Sequence, residues 1–231
     1  MIHAIVYDAV GTLIHVRPSA SAIYAEVGRR FGSRLDENAI RPRFHAAFAR
    51  QDRLDEQAGW CTSEARERQR WGAIVAEVLD DVDDADACFE ALFAAFGQPS
   101  AWECDADADA VLGHWHERGV RQALASNFDQ RLGSVIAGMP ALAALAPIVV
   151  SSMVGWRKPA PEFFRALAES LQLPPSAILY VGDDRSNDYV GAVNAGMRAL
   201  LLDPKRQHLD LGLERLECLG ALARDPGMKH G

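Results

Sequence analysis

The sequence predicts an α/β protein with a doubly wound parallel sheet and an inserted helical domain. Three observations predict it: short apolar segments of strand length, helical patterns between the later segments, and a long helical stretch after the first one. The predicted strands span residues 2–7, 120–125, 147–150, 178–181 and 198–202. Strands that alternate with helices favour βαβ units in one sheet.

Small or acidic residues follow the predicted strands. Asp8 follows the first strand, Ser126 the second, and Gly182 and Asp183 the fourth. Ligands of doubly wound sheets bind at the carboxyl ends of the strands. We therefore expect a functional site at that edge of the sheet.

The stretch from 16 to 98 is too long for a simple crossover between the first two strands. It carries two apolar stripes at helical spacing, Trp71, Ile74, Val75, Val78 and Leu79, and then Phe89, Leu92, Phe93 and Phe96. We interpret these stripes as helix core. The predicted organisation is a core domain of 1–15 and 99–231, and an inserted helical cap of 16–98 that can exclude water from the strand ends.

Composition limits the classes of partner. The chain has 231 residues and a net charge of −8, which argues against nucleic acid or an anionic membrane as its main partner. No apolar run is long enough to span a bilayer, and the first residues lack the pattern of a signal peptide. The four cysteines have no zinc spacing, so we expect reduced thiols in a cytoplasmic protein. Residues 225–231 are expected to fray, and the oligomeric state is not predicted.

Charged residues near the strand ends suggest anion and metal chemistry. Lys158 lies in GWRKPAPEFF, just before a predicted helix, where a lysine is disfavoured unless an anion is present. Asp183 and Asp188 lie in GDDRSND, and together with Asp8 they would suit Mg²⁺, which prefers oxygen ligands. Taken singly, each of these features has an ordinary structural explanation. Asp8 fits a turn aspartate, Lys158 a surface lysine, and GDDRSND a capped acidic turn.

Taken together and in this order, the motifs resemble those of the haloacid dehalogenase-like (HAD) hydrolase superfamily, subfamily I, with a helical cap. The resemblance rests on YDAVGTLI at 7–14, the Ser126-Asn127 pair, the Lys158-Pro159 pair and GDDRSND at 182–188, and it covers the whole chain. It implies a Rossmann-like core formed by 1–15 and 99–231, with 16–98 as the cap.

The resemblance also implies a role for each matching residue. Asp8 would be the nucleophile, Ser126 would donate a hydrogen bond to the transferring group, and Lys158 would hold Asp8 ionised. The implied sets are Asp8, Ser126 and Lys158 for catalysis; Gly11, Thr12 and Asn127 for substrate binding; and Asp8, Asp183, Asp188 and the backbone carbonyl of Val10 for Mg²⁺.

Val10 departs from the family pattern. Members of this family with phosphatase activity carry a second aspartate there, whose side chain acts as acid and base. Valine keeps the backbone carbonyl for the metal but removes the proton carrier. His15 is a candidate replacement, because imidazole transfers protons near neutral pH, although it also fits a hinge or surface histidine.

Three functions remain open from the sequence. The favoured one is a Mg²⁺-dependent phosphohydrolase that cleaves a small phosphorylated metabolite through an aspartyl phosphate. A second is a non-catalytic or nearly inactive module that binds a phosphorylated ligand or a protein partner. The third is a 2-haloacid dehalogenase, but those relatives generally have tyrosine at the position of Val10 and serine at that of Asp183.

Overall fold

Eight β-strands are present in the residues that the computed structural model describes, 1–209 and 212–224. They are β1 (Ala4–Tyr7), β2 (Ile14–Val16), β3 (Trp102–Cys104), β4 (Arg121–Ser126), β5 (Ile148–Val150), β6 (Ile178–Gly182), β7 (Arg198–Leu202) and β8 (Arg215–Leu216). The predicted frayed end, 225–231, lies outside the described residues.

Six of these strands form one parallel sheet in the order β5-β4-β1-β6-β7-β8. The chain builds outward from β1 to one side through β4 and β5, and then to the other side through β6, β7 and β8. The strand order therefore reverses beside β1, which is where such folds bind ligands. The predicted doubly wound α/β fold is confirmed, and all five predicted strands belong to this sheet.

Nine α-helices connect the strands in the described part of the chain. They are α1 (Ala20–Arg30), α2 (Glu37–Gln57), α3 (Glu64–Val78), α4 (Ala85–Phe96), α5 (Ala108–Glu117), α6 (Arg131–Ala137), α7 (Ser151–Val154), α8 (Pro161–Leu171) and α9 (Gly191–Asn194). A π-helical turn, Arg185–Val190, precedes α9. Among the described helices, none combines the length and apolarity that crossing a membrane requires.

Both faces of the sheet are buried, which explains the continuous apolar runs of the strands. Along β1, Ile5 and Tyr7 point into one hydrophobic cluster, and Ala4 and Val6 point into the other. The amphipathic helix α8 covers the second face. A strand with both sides buried is held rigidly, so the residue after β1 has a fixed position.

Helices α1 to α4 occupy 20–96, within the predicted cap of 16–98. Each begins at a side-chain cap, and the capping residues are Ser19, Asp36, Ser63 and Asp84. The two linkers to the rest of the chain pair as the antiparallel strands β2 and β3, which the sequence did not predict. This pairing ties the entry and exit of the helical segment together.

Candidate active site

The ends of β1 and β4 and the loop between α7 and α8 bring Asp8, Ser126 and Lys158 together. Asp8 follows β1, and its Oδ1 accepts hydrogen bonds from Ser126 Oγ at 3.0 Å and from Lys158 Nζ at 2.6 Å. All three side chains are buried, and all three line one cavity. Because both hydrogen bonds fall on Oδ1, the second carboxylate oxygen of Asp8 is the one left to meet a ligand.

Asn127 holds the backbone of Lys158. Its side-chain oxygen accepts from the Lys158 N–H at 2.7 Å, and its amide nitrogen donates to the Lys158 carbonyl at 3.0 Å. The sequence suggested that Asn127 binds substrate, and the residue does line the cavity. The two backbone bonds show that its amide also positions the lysine.

Tyr180 is a site residue that the sequence did not reveal. Its hydroxyl accepts from Lys158 Nζ at 2.9 Å and donates to the carbonyl of Ala125 at 2.8 Å. Lys158 also donates to Asp188 Oδ1 at 2.6 Å. Burial alone would lower the pKa of Lys158, but the carboxylates of Asp188 and Asp8 outweigh it and hold that pKa well above its usual value. The lysine is therefore a fixed positive charge.

Gly11 and Thr12 lie behind Asp183, although the sequence suggested that they bind substrate. Gly11 has φ of +93°, and a Cβ added there would lie 2.3 Å from Asp183 Oδ2, so only glycine fits. Thr12 is fully buried, and its hydroxyl lies 3.5 Å from Asp183 Oδ1. Their placement favours a role in orienting Asp183.

Three carboxylates form a cluster at this edge of the sheet. Oxygens of Asp8, Asp183 and Asp188 lie within 4.8 Å of one another. Both oxygens of Asp188 already accept hydrogen bonds, one from Lys158 and one from the Asp184 N–H. Asp8 and Asp183 are therefore better placed than Asp188 for direct contact with a metal. Asp188 is better suited to contact a metal through a bridging water.

The charges in this cluster fit a divalent cation. Burial, followed by the charges of Asp8 and Asp188, raises the pKa of Asp183 to about 8, although the carboxyl stays open to the cavity, where water screens those charges. Burial and then the charge of Asp8 raise the pKa of Asp188 to about 6, against the opposing effect of Lys158. One lysine does not compensate three carboxylates, and hard oxygen donors of this kind suit Mg²⁺.

The raised pKa values predict how stability depends on pH in the absence of metal. Between about pH 4, the ordinary carboxyl range, and pH 8, Asp183 and Asp188 bind more protons in the folded protein than in the unfolded chain. Their contribution to the free energy of unfolding should therefore fall as the pH rises through that window. Urea unfolding in EDTA at pH 5.5, 7 and 8.5 measures this. In Asp183→Asn the fall should be smaller, and an unchanged slope would show that the dependence arises from other groups.

Mg²⁺ should raise the melting temperature through the same cluster. A ligand that binds only the folded state, at about ten times its Kd, contributes roughly 1.4 kcal/mol, which is about 3–6 °C for a chain of this size. Thermal melts with and without 10 mM Mg²⁺ measure the shift, and Asp183→Asn should reduce it sharply. A shift of equal size in that variant would place the metal elsewhere.

A cavity of about 350 Å³ lies between the strand ends and helices α1 to α4. Its reactive end is formed by Asp8, Ser126, Lys158, Asp183 and Asp188. The rest is dominated by aromatic side chains: Tyr24, Phe44, Phe48, Trp71, Phe89, Phe93, Phe96, Trp102 and Phe128. The stripes of α3 and α4 were interpreted from the sequence only as helix core, but the structure shows that part of each stripe is cavity wall.

Val10 also lines the cavity, whereas His15 does not. The His15 ring lies 3.1 Å from Asp105 Oδ2, beside the β2–β3 ladder. Among the described residues that line the cavity there is no histidine. The structure therefore does not support His15 as a substitute for the missing aspartate.

The loop that carries Lys158 is bonded to the helical segment that follows β2. The Arg157 N–H donates to the carbonyl of Trp60 at 2.8 Å, and the Thr62 N–H donates to that of Gly155 at 2.9 Å. The Arg157 guanidinium pairs with buried Glu67 of α3. The helical segment and the lysine loop are thus connected by backbone hydrogen bonds and an ion pair.

The protein is thus a doubly wound α/β protein with a buried carboxylate, Asp8, at the end of its first strand and a lysine, Lys158, hydrogen-bonded to it. A family model described as haloacid dehalogenase-like hydrolase matches residues 2–196, so the chain belongs to that family. The resemblance found in the sequence is confirmed.

Relatives and solved structures agree with this family. Human haloacid dehalogenase-like hydrolase domain-containing protein 3 is 28% identical over 206 residues, which cover 87% of this chain and 82% of that protein. L-2-haloacid dehalogenase from Xanthobacter autotrophicus shares the fold at a TM-score of 0.73 and 17% identity, covering 97% and 98% of the two chains. HAD phosphatase from Thermococcus onnurineus does so at 0.68 and 17%, covering 96% and 97%. Structures at this identity show the fold alone.

Proposed function

We propose that the protein is a Mg²⁺-dependent phosphohydrolase that acts on a small phosphorylated metabolite through an aspartyl phosphate at Asp8. The observation that carries the proposal is the cluster of Asp8, Asp183 and Asp188, whose oxygens lie within 4.8 Å and face a single lysine. Three carboxylates this close suit a divalent cation, and a bound cation could in turn offset the charge of a phosphoryl group.

Asp8 is the nucleophile in this proposal. Its free oxygen attacks phosphorus, the leaving oxygen departs with the bond electrons, and water later cleaves the acyl phosphate to release inorganic phosphate. Lys158 donates a hydrogen bond to Asp8 Oδ1 and supplies the positive charge beside it, and Ser126 holds Asp8 in orientation through the same oxygen. When bound, Mg²⁺ would offset the charge of the transferring group.

Val10 limits the leaving group in this proposal. The side chain at this position cannot donate a proton, and among the described cavity-lining residues no histidine replaces it. A leaving group that departs as a stable anion needs no proton. Aryl and acyl phosphates therefore suit the site better than alkyl phosphates.

Asp183 favours phosphoryl transfer over dehalogenation. By the family resemblance, dehalogenases use no metal and generally have serine at this position, whereas this chain keeps the aspartate and supports it with Gly11 and Thr12. The segment 16–98 is proposed as the cap that excludes water during the reaction.

A phosphate-release screen tests the proposed function. It compares aryl, acyl and alkyl phosphates and diphosphates with and without Mg²⁺, and measures chloride release from 2-haloacids in parallel. We expect phosphate release that requires Mg²⁺ and is fastest for aryl or acyl phosphates. Chloride release without phosphate release would contradict the proposal in favour of a dehalogenase, and release of neither product would count against both activities.

A further inference from the structure

We propose that the cavity receives an uncharged aromatic leaving group, so that the substrate class is a phosphate monoester of a one-ring or two-ring phenol. This inference rests on the proposed function and adds the chemistry of the group that leaves. It is carried by the wall of the cavity, by the pairing of its cations and by its size.

The wall opposite the carboxylates is apolar and is supplied mainly by the cap. Phe44 and Phe48 of α2 lie with ring centroids 6.0 Å apart at 29°, and Trp71 of α3 is 6.1 Å from Phe48. Phe89 and Phe93 of α4 are 5.4 Å apart. All five rings are only half-buried and line the cavity. An aromatic ligand can stack on such rings or meet their edges.

The cations of the cavity are already paired, so none is free to bind a second anionic group. Among the described lining residues they are Arg131, Arg157 and Lys158. Arg131 binds both carboxylate oxygens of Asp129, at 2.8 and 2.6 Å. Arg157 pairs with Glu67, and Lys158 pairs with two carboxylates. A substrate with a carboxylate or a second phosphate on its organic part would bury a charge without a partner.

The same wall disfavours sugars. A sugar hydroxyl buried without a hydrogen-bond partner costs free energy, and the apolar end of the cavity offers few polar groups. Asp52 lies there, but its carboxylate pairs with buried Arg70. A ring without hydroxyl groups avoids that cost.

The volume of the cavity limits the size of the group. About 350 Å³ is at the small end of the range of about 300–1,000 Å³ that ligand pockets occupy. Part of this space must hold the phosphoryl group and Mg²⁺ beside Asp8. One or two rings remain, with Val10 making an apolar contact near the leaving oxygen.

Binding of phosphonates that cannot be hydrolysed tests the inference without turnover. Titrations of the wild-type protein in the presence of Mg²⁺ would compare methylphosphonate, benzylphosphonate and 4-carboxybenzylphosphonate. Binding would be followed by calorimetry and by tryptophan fluorescence, to which Trp71 and Trp102 of the cavity wall contribute. We expect benzylphosphonate to bind at least about tenfold more tightly than methylphosphonate, and the carboxylated ligand to lose most of that gain. Equal affinities, or no binding of benzylphosphonate, would overturn the inference.

Two variants of the proposed cap test whether the aromatic wall causes the difference in affinity between benzylphosphonate and methylphosphonate. Phe48→Ala should weaken the binding of benzylphosphonate by several-fold and leave that of methylphosphonate unchanged, because it removes a ring of the cavity wall and none of the groups around Asp8. Phe31→Ala is the matched control, since Phe31 is a partly buried cap aromatic outside the cavity. An equal loss of benzylphosphonate affinity in both variants would overturn the placement of the ligand ring against Phe48. If either variant does not fold, the comparison of the three ligands on the wild-type protein tests the inference.

The outcomes separate this inference from the proposed function. If the protein releases phosphate from many esters but binds benzylphosphonate no better than methylphosphonate, the proposed function stands and the aromatic class fails. If benzylphosphonate binds tightly but no ester is cleaved, the cavity takes aromatic ligands and the proposed phosphohydrolase activity fails.

Discussion

Asp8→Asn is expected to reduce phosphate release by at least about 10³-fold, because it removes the nucleophile of the proposed covalent step. Asparagine has nearly the same shape and can keep the contact with Ser126. The change also removes one of three crowded negative charges, so the melting temperature in EDTA should not fall. Steady-state phosphate release and thermal melts of the purified variant measure both effects.

Asp86→Asn is the matched control for this substitution. Asp86 is exposed in the first turn of α4 and does not line the cavity, so its replacement should leave phosphate release unchanged. Vanadate, which mimics the phosphoryl group during its transfer, should inhibit the wild-type protein. Activity that survives in Asp8→Asn at the wild-type level would show that another residue is the nucleophile.

Val10→Asp is expected to raise the turnover of alkyl phosphates by at least about tenfold. General acid–base assistance contributes typically about 10²–10⁴ in rate, and in the proposed mechanism the nucleophile and metal ligands are already in place. An aspartate at position 10 can protonate a poor leaving group and activate the attacking water. The measurement is kcat/KM over a series of aryl and alkyl phosphates for both proteins.

Val10→Asn separates the proton from the shape of the side chain. It has the size of the aspartate but carries no transferable carboxyl proton, so it should not raise the turnover of alkyl phosphates. Circular dichroism confirms that each variant folds. Efficient cleavage of alkyl phosphates by the wild type, with no change in Val10→Asp, would mean that another group supplies the proton.

The sheet and the clustering of the motifs were predictable because they depend on local pattern. A parallel strand covered on both faces is a continuous apolar run, and its end is marked by a polar residue such as Asp8 or Ser126. Once the strands are placed in one sheet, their carboxyl ends must meet at one edge. The short strand β8 was missed because Arg215–Leu216 is only two residues long.

The supporting contacts of the site were not predictable, because they join residues far apart in the chain. Thr12 reaches Asp183 across 171 positions, and nothing local marks that contact. Tyr180 is one hydroxyl in an apolar strand, so its bond to Lys158 had no distinctive signal. Strands β2 and β3 pair across the whole helical insertion, which is far longer than the loop of a recognisable hairpin.

The aromatic cavity was misjudged for a different reason. Helical periodicity shows which face of α3 or α4 is apolar, but it does not show whether a neighbouring element touches that face. Trp71 and Phe93 belong to such stripes and yet border open space. Only the relative placement of the cap helices above the strand ends distinguishes a cavity wall from packed core.

Acid-quench trapping of the covalent intermediate tests the proposed mechanism most directly. Wild-type protein mixed with an aryl phosphate and Mg²⁺ would be quenched within the first turnovers, digested and analysed by mass spectrometry. Because Val10 cannot activate water, we expect a phosphorylated peptide containing Asp8 to accumulate and product to form in a burst. Continued phosphate release with no phosphorylation of Asp8 at any time point would contradict the mechanism.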